Sequence, residues 1–144
     1  MRARAAAPDP SVKEEVWERI HGDGYDSLHL TLAAAGGFWR RRQREMLESY
    51  VPRFFEGLPE VFASWEPEAA RGYFTNFFPA YRIEPSTREQ IAALLERADL
   101  GPILERMLIE QDHELERSLA CRAFAAPPPA EPEAGREEAG PGPA

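Results

Sequence analysis

His113-Glu114-Leu115-Glu116-Arg117 is the stretch of this 144-residue chain that comes nearest to a catalytic motif. It opens like HExxH, in which two histidines one helical turn apart bind zinc and the intervening glutamate activates a water. The second histidine position holds Arg117. An arginine cannot ligate zinc and its charge would oppose the ion, so the stretch reads as the charged outer face of a helix. His21 and His29 lie eight residues apart across a glycine turn, with no obvious carboxylate partner, and read as surface or capping residues. Cys121, the single cysteine, reads as a small packing residue on the last helix. It allows no internal disulfide, which makes a reducing cytoplasm the expected location. There is no Gly-rich phosphate loop, no Ser/His/Asp arrangement with a recognisable local context and no CxxC. The sequence therefore offers no catalytic residue, no cofactor-binding residue and no metal ligand.

Arg40, Arg41, Arg42 and Arg44 form the one basic cluster, flanked by Phe38 and Trp39. Basic residues interleaved with aromatics can bind nucleic acid. The formal net charge of −8 argues against it, because a dedicated binder carries a basic footprint over a whole face. The cluster reads instead as a contact for acidic surface on a neighbouring domain or as a solvated turn. Lys13 is the only lysine among many arginines, which reads as codon bias of a high-GC genome. No apolar run reaches membrane-spanning length, and MRARAAAPDP lacks the apolar middle of a signal peptide. Neither nucleic acid nor membrane is an expected partner.

The elements that would carry these residues are helical. Leu47, Tyr50, Val51, Phe54, Phe55, Leu58, Val61, Phe62 and Trp65 repeat at the spacing of one apolar helix face. Ser49 as N-cap places Pro52 in the first turn, and Pro59 is expected to kink or restart the helix. Ser11 with Glu14 has the form of a capping box ahead of Val12, Val16, Trp17 and Ile20, a helix ended by Gly22 and Gly24. Asp26 or Ser27 caps a short helix that Gly36-Gly37 should stop. Pro67 suits the first helical position ahead of Ala70, Tyr73, Phe74, Phe77 and Phe78. Ser86 with Glu89 repeats the capping-box pattern before Ile91, Leu94 and Leu95, and Asp99 is expected to cap a long last helix carrying Leu104, Leu108, Leu115 and Leu119. No strand-length alternation occurs, so the class is all-α, with antiparallel helical hairpins of solenoid type. Residues 1–8 are expected to fray, 9–124 to form the domain, and 125–144, rich in Pro, Ala, Gly and Glu, to be disordered.

The ordered set Gly37-Phe38-Trp39, Gln43-Arg44-Glu45, Tyr50-Val51 with Phe54-Phe55, Val61-Phe62-Ala63 and Pro67-Glu68 resembles the C-terminal end of aminopeptidase N, in its actinobacterial form. The likeness runs from about Pro8 to Phe124. Ser49 stands where that family usually has proline before Tyr-Val, and a proline follows instead at Pro52. The resemblance implies a helical C-terminal domain that arches over a catalytic cleft and restricts which peptides enter. It also implies that the zinc site and the Gly-x-Met-Glu-Asn segment belong to a catalytic domain, the expected partner in cis or as a separate chain. Neither that segment nor HExxH occurs here, so this chain alone is expected to be inactive and to hold no zinc. The alternative is a stand-alone helical-repeat module that binds a protein partner.

Overall fold

The computed structural model describes residues 1–128, and these are helical throughout, with no strand among them. Eight helices follow in order: α1 Arg2–Ala5, α2 Pro10–His21, α3 Leu28–Phe38, α4 Arg44–Leu47, α5 Tyr50–Ser64, α6 Pro67–Phe77, α7 Pro85–Leu95 and α8 Pro102–Ala125. A 3-10 turn, Arg41–Gln43, leads into α4. The predicted all-α class holds. The disordered tail expected over 125–144 lies, from residue 129 on, outside the described residues.

Helix starts follow proline more than serine. Pro10, Pro67, Pro85 and Pro102 each open a helix, where a missing N–H has no helical partner to lose. The expected capping box at Ser11 and Glu14 is therefore displaced. Asp9 is the N-cap, accepting from the backbone N–H groups of Ser11 at 2.8 Å and Val12 at 3.3 Å. Glu14 reaches instead across to Tyr50 and Arg53. At α7 the box at Ser86 and Glu89 is likewise absent: Glu84 takes the N-cap position, and no side chain closes it. Gly101, not Asp99, precedes α8, and Asp99 pairs with Arg97 at 2.6 Å. Ser49 has a helical backbone and no capping bond. Pro59 remains inside α5, which continues to Ser64. At α3 the cap is Ser27, accepting from Leu30 N–H at 3.3 Å, one of the two residues expected there.

Gly36 and Gly37 do not stop α3. They lie within it, and the helix ends at Phe38. Gly37 is required by a close approach, since a Cβ there would run into the Arg2 carbonyl oxygen of α1. Residues 1–8, expected to fray, include this docked turn, and Ala5 is fully buried. Helix α3 touches α1, α2 and α6; α5 meets α6 and α7, and α7 pairs with α8.

The core is an aromatic network. Phe77 lies with its ring centroid 5.2–5.9 Å from those of Trp17, Phe38, Phe54 and Tyr73. Trp17 in turn meets Phe38 and Tyr50. Such pairs add roughly 0.5–1.5 kcal/mol each beyond area burial. Phe55 and Phe78 extend this cluster, and Ile91, Leu94, Leu104, Leu108 and Leu115 bury the seam of α7 and α8. Arg88 clamps that seam from outside, with both guanidinium bonds to Asp112 at 2.7 Å.

Lys13 is buried in the same interior. Its Nζ donates to Ala5 O at 2.6 Å and Phe38 O at 2.5 Å, ends of α1 and α3 that have no further helical turn to bond. Nζ also lies 4.9 Å from the Phe38 ring centroid. Burial, together with Arg40, pulls the Lys13 amine down to about 8.

Two outcomes follow. Phe77→Ala should cost about 3–5 kcal/mol in urea unfolding, whereas Phe124→Ala, at a residue 94% exposed, should stay within about 0.5 kcal/mol. Lys13 has a lowered folded pKa, so between about pH 8 and 10 the unfolded chain binds the proton that the folded chain has released. Stability attributable to Lys13 must therefore rise with pH across that window. The difference between the unfolding free energies of the native chain and Lys13→Met, measured at pH 7.5 and pH 10, should move in favour of the native chain.

Candidate functional site

The three histidines do not converge. His29 and His113 are exposed on α3 and α8. Glu114, the would-be general base of the HExxH-like stretch, pairs at 2.5 Å with Arg117, the residue at the position that breaks the motif. Cys121 is exposed rather than packed, a correction to its sequence reading. Among the described residues no group of three or more His, Cys, Asp or Glu side chains could hold a metal ion. The described residues do not fit a zinc site.

His21 is not the surface residue its position suggested. It is partly buried between α2 and α6. Its Nδ1 lies 2.7 Å from Trp17 O and its Nε2 lies 2.7 Å from Tyr73 Oη. A carbonyl can only accept, so Nδ1 carries the proton and Nε2 of the neutral ring accepts from the tyrosine hydroxyl. Burial lowers the His21 pKa, and burial also raises that of Tyr73. Both groups are held neutral, each satisfying the other. The local sequence gave no sign of this because the partner lies 52 residues away.

The arginine cluster divides. Arg44 forms an ion pair with Glu84, which Arg82 also meets at 3.1 Å. Arg82 in turn reaches Glu48 at 2.9 Å, and its side chain is almost wholly buried. Arg41 and Arg42 are exposed and have no carboxylate partner among the described residues. The turn that carries them is braced from below. Gln43 N–H donates to Arg40 O, and Trp39 Nε1 donates to Phe77 O at 2.5 Å.

An apolar concavity of about 350 Å³ opens between the end of α5, the start of α6 and the start of α8. Pro59, Phe62, Pro67, Ala70, Leu100 and Ile103 line it. Its acidic wall residue, Asp99, is already paired with Arg97. The pocket can hold an apolar side chain. In the sequence Pro59 and Pro67 act as helix punctuation, and their part in a surface concavity needs α8 to be placed beside them.

No protein-family model matches this chain. Over 121 residues the sequence is 32% identical to aminopeptidase N of Streptomyces lividans, a match spanning 84% of this chain. The chain is similar to part of an aminopeptidase N. It spans 14% of that relative's length. The similarity agrees with the family the residue order resembles. No helix among the described residues is long and apolar enough to cross a membrane.

The His21–Tyr73 pair sets a test of the neutral-ring assignment. Tyr73→Phe keeps the ring packing and removes one buried hydrogen bond, and should cost about 1 kcal/mol in chemical denaturation. The unfolded chain takes up a proton at His21 first as pH falls through about 6.5, because the folded pKa is lower. Stability should thus decline from about pH 6.5 downward, and His21→Gln should flatten the start of that decline.

Proposed function

We propose that the chain is the helical C-terminal domain of a zinc aminopeptidase, with residues 9–124 forming the domain. It covers the cleft of a catalytic domain and limits which peptides enter. The observation that carries this reading is the 32% identity to aminopeptidase N across 84% of the chain. The arrangement of side chains supports it. The helices present an apolar pocket and an exposed arginine turn, with no reacting group in either. The parent enzyme would remove N-terminal residues from peptides by metal-assisted attack of water on the scissile carbonyl, with zinc held in the catalytic domain. Successive packing of α5 on α6 and α7 on α8 is consistent with hairpins of a helical repeat. The free Cys121 suits a reducing, cytoplasmic setting.

The test is an exchange. In the Streptomyces lividans aminopeptidase N, the segment aligned with this chain is replaced by residues 9–124, or deleted. The exchanged enzyme should hydrolyse an aminoacyl-arylamide at a rate within about tenfold of the parent, while this chain with added zinc shows no turnover. Deletion should raise cleavage of long peptides relative to the small arylamide. An exchanged enzyme that folds yet shows the same long-to-short ratio as the deletion would remove the covering role. A chain that is stably folded alone, and whose exchange inactivates the enzyme, would favour the stand-alone interaction module.

A further inference from the structure

Positive charge on this surface is unevenly answered. Arg4, Arg53, Arg97, Arg106 and Arg117 are exposed, and each meets a carboxylate. Arg41 and Arg42 stand side by side without one among the described residues, in a chain whose formal net charge is −8. Their turn is firmly placed, by Trp39 Nε1 on Phe77 O at 2.5 Å and by Gln43 Nε2 on Ala6 O at 2.8 Å. Beside it lies an open concavity of about 530 Å³, walled by Pro8, Arg42, Gln43, Arg44 and Met46, with Glu45 as the one carboxylate of its lining.

The end of α8 lies on the same flank. Arg122, in its last turn, donates to Ile83 O at 3.1 Å. The residue after Ile83 is Glu84, which pairs with Arg44, and Arg44 adjoins the arginine turn. An unbroken set of contacts thus joins the end of α8 to Arg42. Residues 120–125 are all exposed, so the chain leaves α8 at the surface. The sequence beyond it includes Glu131-Pro132-Glu133-Ala134-Gly135-Arg136-Glu137-Glu138, four carboxylates against one arginine. They follow Ala125 at a chain reach of roughly 20–45 Å when extended, enough to span the flank.

We propose that the acidic segment Glu131–Glu138 seats on the Arg41–Arg42 turn of its own chain. Glu131 and Glu133 flank Pro132, and the concavity sets guanidinium groups beside the apolar side chains of Pro8 and Met46. One exposed ion pair is weak. Several carried on one tethered segment act together, because the chain holds each further carboxylate at high effective concentration near the turn. The segment is then a built-in competitor for the turn, and an acidic surface on another domain or chain must displace it to reach the arginines. This contact is independent of the covering role.

Paramagnetic broadening in the full chain tests it. A nitroxide is attached at Ala134→Cys in a Cys121→Ser background, and the amide spectrum is compared with that of the reduced label. At low salt, amides 40–44 should broaden at least about twofold more than those flanking the exposed Arg71, and the excess should vanish at roughly 1 M salt, where screening is complete within a few ångström. It should also vanish in Arg41→Gln/Arg42→Gln, whose unchanged α5 to α8 signals report an intact fold. Excess broadening that persists in that double variant would be tethered proximity alone and would overturn the contact. Equal broadening around Arg71 would show unspecific attraction and overturn it as well. Broadening that requires mixing labelled and unlabelled chains would assign the segment to a second copy and overturn the contact within one chain.

Discussion

The close approach of other helices to α3 is the constraint on which the rest of the structure depends. Its second half, Ala33-Ala34-Ala35-Gly36-Gly37, offers almost no side-chain bulk, so α1, α2 and α6 can all come near its backbone. Burying Ala34 and Ala35 recovers little apolar area by itself. What the thin helix allows is convergence. Trp17 from α2, Phe38 from α3 itself, Tyr50 and Phe54 from α5, and Phe77 from α6 can meet as a single cluster. A larger residue at Gly37 would move α1, and with it the carbonyl that Lys13 holds.

Convergence of helix ends on an apolar interior creates unpaired carbonyls, and the structure meets that need with long side chains from elsewhere. Lys13 serves Ala5 and Phe38, Gln43 serves Ala6, and Trp39 serves Phe77. A flexible ammonium with three donors can reach two carbonyls at once, which the planar guanidinium of an arginine would do poorly in so narrow a space. Lys13 therefore has a structural reason to be lysine in a chain that otherwise uses arginine. Reading it as codon usage overlooked this.

How much of this was legible in the residues divides along the range of the interactions. The apolar faces of α5 and α6 follow from i, i+3 and i+4 spacing alone, and Tyr50, Val51, Phe54, Phe55, Leu58, Tyr73, Phe74 and Phe77 are all buried as that spacing requires. Helix starts depart from the local signal where a serine competes with a nearby proline. Ser11, Ser49 and Ser86 had the right type for a cap, yet Pro10 and Pro85 fixed the backbone one step earlier and Ser49 fell within a continuing helical path. Gly36-Gly37 signals a stop when only local propensity is weighed, and it becomes a packing surface once α1 and α6 are present. Partners separated by many residues, such as His21 with Tyr73 or Glu14 with Tyr50 and Arg53, leave no local trace.

Among the described residues, hydrogen bonds, ion pairs and burial also set the charge states of several groups. Hydrogen bonds from Ser11 and from the Ser11 and Val12 amides lower the Asp9 carboxyl, Arg53 and Tyr50 lower Glu14, and Arg88 lowers Asp112. Burial and the Glu14 carboxylate push Tyr50 up to about 12. Each of these shifts drives a group further into the charge state it already holds near neutrality, away from the poise that general acid–base work needs. Lys13 and His21 move the other way, toward neutrality, and that is the direction a catalytic group would take. Both are committed to carbonyl oxygens of the backbone, and neither lies in the apolar pocket. A pKa near the working range is not sufficient when the proton it controls is already engaged in holding helices together. The chemistry of the described residues is thus directed inward, and what they offer a partner is shape, an apolar recess and a small exposed cationic turn.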